Sequence, residues 1–392
     1  MELQKSKSKK SNDVALSFTK HLFSKNHYEK KNLVFSPFIL NAALSVMAAG
    51  SEGRPLHELL SFLRFDSVDD LTTFFSHLLS AAAAPYNLSF SNGLWADKSL
   101  QLSHSFKQLV ATHYKATLNS VDFKTQGDQV HHEVNSWIEK ETNGLITQVL
   151  PPGTVTKLTK LIFANAIYFK GAWKHDFDRR PYHHKFDLLN GTRVRVPFMT
   201  SEKDQFIRAF DGFKVLRLSY KQGGDKKRRF SMYIFLPDAI HGLSTLIEKL
   251  SSESDFLKDK LPRRKVQVNS FMIPKFNISF SFEASKVLKE LGVVSPFSQW
   301  DNALDKLYVE SISHKALIKV NENGTEATAA TIVEKIFLGC SPPRPVGIDF
   351  VADHPFLFLI REDFTGTILF VGQVVNPLDG AATPVKVSNL YS

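Results

Sequence analysis

Apolar residues recur along the chain with two different periods, and the switches between them mark out its elements. Val14, Phe18 and Leu22 fall at i, i+4 and i+8, one face of a helix over 13–25 that Asn12 or Asp13 would start. VHHEVNSWIEKETNGLI (130–146) predicts a second helix, with Val134, Trp137 and Ile138 turned inward and Asn143-Gly144 as its stop. FEASKVLKELGV (282–293) predicts a third, with Val287, Leu288 and Leu291 inward and Gly292 at its C-terminal cap. Elsewhere the helical period is lost. LIFANAIYF (161–169) is apolar almost throughout and of strand length, which predicts a central strand covered on both faces. RFSMYIFLPD (229–238) reads the same way and Pro237 ends it. HPFLFLIREDFTGTILFVGQVVNP (354–377) predicts two buried strands joined as a hairpin around DFTG. The two kinds of pattern interleave to the end without repeat or low-complexity linker, so one mixed α+β domain is expected.

One stretch fits neither period. NENGTEATAATIVEKIFLGCSPPRP (321–345) starts with Glu, Gly and Thr and runs through small residues to Ile332 and Val333. It ends in Gly339, Cys340, Ser341 and prolines. As a helix it is poor and as a core strand too small. A loop of that length inside a compact domain needs a purpose. Strong strands flank it closely on both sides.

Composition narrows the picture. The 392 residues are 43% apolar and include 33 Phe, enough for a large buried core. No apolar run reaches the roughly 18 residues of a membrane span, so no membrane partner is expected. The N-terminal MELQKSKSKKSNDVAL is polar and basic where a secretory signal is apolar. The single cysteine, Cys340, excludes an intrachain disulfide and a cysteine-based zinc site. A cytoplasmic location, with the nucleus or leaderless export as alternatives, is the expectation. Sequons stand at Asn87, Asn190, Asn277 and Asn323. The net charge of +10 gathers at Lys5–Lys10, Lys226–Arg229 and Arg263–Lys265. These clusters lack interleaved aromatics, so a solvated surface is favoured over nuclear import by KKRR and over a weak polyanion site. Residues 1–12 are expected to be a disordered basic arm and 378–392 a tail.

The sequence carries no catalytic site. AGSEG around Ser51 has Ala49 where a nucleophile elbow needs Gly, and no strand precedes it. His131-His132-Glu133 and His183-His184 are adjacent pairs, which cannot set two metal ligands on one helical face. No phosphate cradle is present, and nothing beside Cys340 would lower its pKa. No cofactor or metal is implied.

Four segments, in order, resemble the serpin family in its plant-type branch, from Asp13 to Pro377. NLVFSPFILNAALSVMAAGSEG is similar to the family's N-terminal strand-to-helix segment, and LIFANAIYFKGAWKHDF to its central strand with the following Trp. HKALIKVNENGTEATAAT resembles the strand and hinge entering the reactive-centre loop, and DFVADHPFLFLIREDFTGTILFVGQVVNP the C-terminal signature. The resemblance implies a single serpin domain over 13–377, with three β-sheets, eight or nine helices and an exposed reactive-centre loop at about 324–348. It implies a monomeric inhibitor that traps a serine or cysteine protease as an acyl-enzyme while the cleaved loop inserts as a new strand. A non-inhibitory serpin, acting as a binding or scaffold protein, is the alternative.

Read against that implied mechanism, Gly324 is the hinge. Thr325, Glu326, Ala327, Thr328, Ala329 and Ala330 are small enough to enter a packed sheet, with Glu326 the one charge that the inhibitory pattern also carries. Alternation puts Thr325, Ala327, Ala329, Thr331 and Val333 on the face that tolerates burial. Thr325–Leu338 as a strand would span roughly 46 Å at about 3.3 Å per residue. The reactive bond implied by counting from Gly324 is Leu338-Gly339, suited to chymotrypsin-like or papain-like proteases. A loop one residue longer than the common plant pattern leaves Gly339-Cys340 and Cys340-Ser341 as alternatives. Ser36, Asn165 and His314 match the polar latch under the opening sheet, and Trp173 and Glu322 the place where insertion starts. Ile39 stands where the family usually has a second Ser, Asn323 replaces the usual acid before Gly324, and Lys335 would face inward. These departures bear on the efficiency of inhibition.

Overall fold

The computed structural model describes residues 2–25, 28–82, 88–178, 182–222, 228–253, 255–298, 309, 311–325 and 347–380. The chain opens with α1 (Glu2–Phe23), β1 (Leu33–Phe35), α2 (Pro37–Ala49), α3 (Gly53–Leu63) and α4 (Val68–Ala82). Then come β2 (Leu88–Asp97), α5 (His104–His113), β3 (Ala116–Val121), α6 (Phe123–Glu141), β4 (Leu161–Phe169) and β5 (Gly171–Ala172). A strand-rich middle holds β6 (Tyr182–Asp187), β7 (Arg193–Thr200), β8 (Phe206–Phe210), β9 (Phe213–Ser219) and β10 (Phe230–Pro237). It is followed by α7 (Leu243–Ser252), α8 (Phe256–Lys260), β11 (Val268–Pro274), β12 (Phe276–Glu283) and α9 (Ala284–Glu290). The last strands are β13 (Ser311–Asn321), β14 (Gly324–Thr325), β15 (Ile348–Val351), β16 (Phe356–Glu362) and β17 (Ile368–Val374).

The strands form three sheets. The largest runs β3-β2-β4-β13, with β12 on the far side of β13 and the short β14 and β5 at one end. A six-stranded antiparallel sheet, β1-β17-β16-β10-β9-β8, and a four-stranded one, β15-β11-β7-β6, complete the set. With nine α-helices among the described residues, this is the expected mixed architecture.

The continuous apolar runs are the innermost strands. Leu161–Phe169 is β4, held by β2 antiparallel on one side and β13 parallel on the other. All eight residues of β10 are buried. Period-2 alternation divides β4 between two cores. Leu161, Phe163, Ile167 and Phe169 of β4 join Ile312, Ala316, Ile318 and Val320 of β13 in the main core. Ile162, Ala164 and Ala166 turn the other way, into a smaller core built with Val130, Val134 and Ile138 of α6 and Ile146, Val149 and Leu150 after it.

The helices differ from their predicted extents for local reasons. The helix expected at 130–146 is α6; it starts earlier, where Asp122 accepts from the Thr125 N–H, and Asn143 and Gly144 end it with positive φ. Trp137 is half-buried, edge-on to Trp95. In the third helix, Phe282 and Glu283 belong to β12, paired with His314 and Ser313.

The N-terminal arm expected at 1–12 is corrected: residues 2–12 are the first half of α1. Lys7, Lys9 and Lys10 pair with Asp70, Asp255 and Asp66, so the basic run is tied down by acids from two segments, the start of α4 and the turn before α8. Ser8 and Ser11 are buried, and Asn12 binds Gly366 O and Ile368 N at the C-terminal hairpin. Composition alone carries no sign of such partners.

Candidate functional site

Gly324, the hinge that the resemblance implies, lies just beyond the end of β13. After Asn321 the chain turns through Glu322 and Asn323 and comes back as β14, antiparallel to β13 with Val320 opposite Thr325. On its other side β14 pairs with β5, Gly324 opposite Ala172 and Thr325 opposite Gly171. Two residues of the implied insertion segment therefore already sit in the large sheet. Gly324 has φ 153°, and a Cβ there would lie 2.0 Å from Gly171 O. Glycine is required by this close approach as well as by the freedom to rotate.

Thr325 is fully buried and its hydroxyl meets that of Tyr220 at 2.7 Å. Burial pushes the Tyr220 phenol above its ordinary range, and the Thr325 hydroxyl only partly opposes this, so the phenol stays protonated. Trp173 stacks on Tyr220, with centroids 4.6 Å apart. It also donates from Nε1 to Asn321 O (2.8 Å) and from its backbone N–H to Asn323 O (3.1 Å). Glu322 is paired with Lys275 at 2.5 Å. Trp173 thus clamps the turn before the hinge and stands apart from Ser36, Asn165 and His314.

Those three residues come together midway along the β4–β13 seam, where His314 and Asn165 are partners in register. Ser36 is the N-cap of α2, accepting from Ile39 N; its own N–H donates to His314 Nε2 (3.1 Å) and its Oγ to Leu369 O (2.6 Å). That N–H fixes Nε2 as an acceptor, so the neutral ring carries its proton on Nδ1. Burial holds the His314 pKa down at about 3. Asn165 Nδ2 donates to Asn92 Oδ1 (2.7 Å), and Asn92 Nδ2 donates to Tyr114 O, which sets both amides.

Two complementary groups remain. His314 Nδ1 and Asn165 Oδ1 are buried without a hydrogen-bond partner among the described residues. Each such group costs about 1–3 kcal/mol. Ile39, fully buried, has no hydroxyl to offer Asn165.

On the opposite face of the sheet a strap crosses the same seam. Asn135 of α6 accepts from Val149 N and Leu150 N and donates to Leu150 O. Lys315 of β13 donates to Gln148 O at 2.7 Å. Burial depresses the Lys315 pKa. Residues 148–150 are therefore fastened at once to the helix over β4 and to β13.

Tyr220, Lys275, Asn92, Asn135 and Lys315 were not singled out from sequence. None lies in a segment whose pattern points to the hinge; only the fold brings them there. The remaining loop positions, Glu326, Ala327, Thr328, Ala329, Ala330, Lys335, Leu338, Gly339, Cys340 and Ser341, lie outside the described residues. Of the other motifs, Ser51 Oγ donates to Met47 O just after α2, and His131 Nε2 lies 3.0 Å from Leu150 O. Among the described residues there is no cluster of His, Cys, Asp and Glu fit for a metal ion and no helix long and apolar enough to cross a membrane.

Comparison with known proteins agrees with this geometry. A family model described as Serpin (serine protease inhibitor) matches residues 9–377. Serpin-ZX of Arabidopsis thaliana is 49% identical over 383 residues, 94% of this chain and 97% of that protein. Serpin-Z2B of Triticum aestivum is 46% identical over 362 residues, 88% of this chain and 90% of that protein. The native stressed conformation of Arabidopsis AtSerpin1 superposes with a TM-score of 0.85 at 47% identity, covering 96% of this chain and 99% of that one. Serpin48 of the insect Tenebrio molitor, a highly specific serpin, gives 0.80 at 27% identity, covering 94% and 98%. The chain, with β14 set between β13 and β5, belongs to the serpin family.

Proposed function

We propose that the protein is an irreversible, suicide-substrate inhibitor of serine or cysteine proteases. A protease with an apolar specificity pocket, chymotrypsin-like or papain-like, attacks the loop at Leu338-Gly339. The acyl bond to the protease forms as the peptide bond breaks, and the new N-terminus at Gly339 stays with the C-terminal segment, whose strands β15, β16 and β17 remain in their sheets. The freed segment then enters the large sheet before water can hydrolyse the acyl-enzyme, and the protease is carried along.

The observation that supports this reading is the place of β14. It runs antiparallel to both β13 and β5, and β4 and β13 run parallel to each other with no strand between them. A strand continuing from Thr325 between them would be antiparallel to both neighbours and would hydrogen-bond on both edges. Thr325 to Thr331 are small, with Glu326 the one charged residue.

Incubation with one protease of each class, followed by a denaturing gel, tests the proposal. A band at the summed mass that survives denaturant supports it. Clean loop cleavage with the protease still active overturns it in favour of a binding role, and mass spectrometry of the released fragment locates the bond.

A further inference from the structure

Away from the hinge and the seam, a cleft of about 380 Å³ opens where the end of α1, the start of α7, the β6–β7 turn and β17 meet. Its volume is within the range of about 300–1,000 Å³ common to small-molecule sites. Phe23, Leu243 and Ile247 are buried in its walls, and half-buried Leu189 closes one side. The exposed rim carries Glu29 and Glu248 against Lys30 and His241, and Glu248 is already held by Lys20 at 2.5 Å. Neither sign of charge prevails there.

One buried polar side chain lies among these walls. Gln373 of β17 lines the cleft and is only 1% exposed. Its Nε2 donates to Tyr28 O at 3.0 Å and to Lys31 O at 2.9 Å, which uses both amide hydrogens and fixes the way the amide faces. Oε1 is left as an acceptor, and among the described residues no donor meets it. A buried carbonyl oxygen without a donor is costly, and native proteins keep few of them. Water would supply the donor but leave the apolar walls wet. An apolar molecule with a hydroxyl supplies the donor and removes the walls from water at once. A carboxylate in the same place would set acceptor against acceptor.

We propose that this cleft binds a neutral, largely apolar phenol, whose hydroxyl donates to Gln373 Oε1 while its rings lie against Phe23, Leu243 and Ile247. A phenol fits because it puts an O–H donor on a flat apolar body, and Phe23 offers that body a ring to meet. Gln373 is then the residue that sets specificity, and the walls supply the contact area. The site shares no residue with the hinge or the β4–β13 seam, so it stands whatever becomes of the loop. Since the cleft exists only in the folded chain, its ligand stabilises that chain by mass action.

The test titrates the full-length protein by calorimetry with para-phenylphenol, with para-methylbiphenyl, which lacks the donor, and with para-phenylbenzoate, which replaces it by a charge. Para-phenylphenol is expected to bind one molecule per chain, about tenfold or more tighter than either analogue, and to raise the urea midpoint. Leu189→Trp places a larger side chain across the cleft from a half-buried turn. It is expected to abolish binding while leaving the ligand-free urea midpoint close to wild type. Gln373→Met keeps the length of the side chain and loses the acceptor; any folded protein it gives should bind para-phenylphenol no better than para-methylbiphenyl. No binding of para-phenylphenol up to its solubility overturns the proposal. So do equal affinities for the three probes, or wild-type affinity in Leu189→Trp, which would place the probe elsewhere.

Discussion

Tyr220 and Thr325, 105 residues apart in sequence, share a buried 2.7 Å hydrogen bond between their hydroxyls. Because the Tyr220 ring also stacks on Trp173, which grips Asn321 and Asn323, one aromatic pair holds both the turn and the first residue beyond the hinge. Tyr220→Phe removes only the hydroxyl and leaves the Thr325 hydroxyl buried. It is expected to cost about 1–2 kcal/mol in the native form by urea unfolding. Adding Thr325→Val removes the orphan, so the double variant should be no less stable than Tyr220→Phe alone. A further loss as large as the first would show that the two hydroxyls act independently.

Gly324→Ala meets two obstacles, a φ of 153° and a Cβ 2.0 Å from Gly171 O. The native protein is expected to lose on the order of 3 kcal/mol as β14 leaves its place beside β5. The share of cleavage events that end in covalent complex should fall, read as the ratio of complex to cleaved serpin on a denaturing gel.

Two histidines give the stability opposite dependences on pH. His314 is buried neutral with its pKa lowered to about 3, so the unfolded chain takes up a proton near 6.5 while the folded one does not. Its contribution is complete above about pH 6.5 and declines by about 1.4 kcal/mol per pH unit below it, down to about pH 3. His314→Gln should flatten the slope between pH 6.5 and 5, above the range of ordinary carboxylates.

His354 is the reverse case. Nδ1 faces Asp353 Oδ1 at 2.8 Å and Nε2 faces Pro237 O at 2.6 Å, two acceptors that call for a doubly protonated ring. Burial pulls its pKa down, but these bonds, with the charges of Asp353 and Asp187, outweigh it and the net shift is upward. Stability from His354 is therefore full below about pH 6.5 and lost as pH rises through the raised value. His354→Gln is expected to remove the alkaline decline, measured as the urea midpoint between pH 6 and 9.

The strap over the seam predicts a kinetic effect. Asn135→Ala frees Val149 N and Leu150 N together, while Leu150 O keeps His131 Nε2 and Gln148 Nε2 beside it, and should destabilise the native form by about 2 kcal/mol. Since residues 148–150 cross the seam that a new strand would enter, complex formation at saturating protease should speed up. Stopped-flow loss of protease activity reads this; an unchanged rate would mean the strap does not limit insertion.

How much of this was legible in the sequence follows from how local each cause is. β4, β10 and the terminal hairpin show as apolar runs because strands buried on both faces need no polar positions. Gly324 and Thr325 were singled out through the resemblance, which implies a hinge there but carries no sign of the close contact with Gly171 that makes glycine necessary. The start of α6 at Asp122 was missed because its first turns carry polar residues and a non-helical Gln126. Ser36, Asn165 and His314 were grouped through the resemblance and lie together in the fold, yet two atoms left unpartnered there depend on ring tautomer and amide orientation. The tautomer is set by the Ser36 N–H and the amide by Asn92 and Tyr114, contacts that only the fold supplies.

The ion pairs of α1 reach into the practical handling of the protein. Lys7 and Lys10 hold Asp70 and Asp66 at the start of α4, Lys9 holds Asp255, and Asn12 bonds to the C-terminal hairpin. A recombinant version trimmed by twelve residues to discard an apparent tail would leave Asp66, Asp70 and Asp255 without their counter-charges and expose part of the hairpin. The full N-terminal sequence belongs in any preparation whose inhibitory lifetime is to be measured.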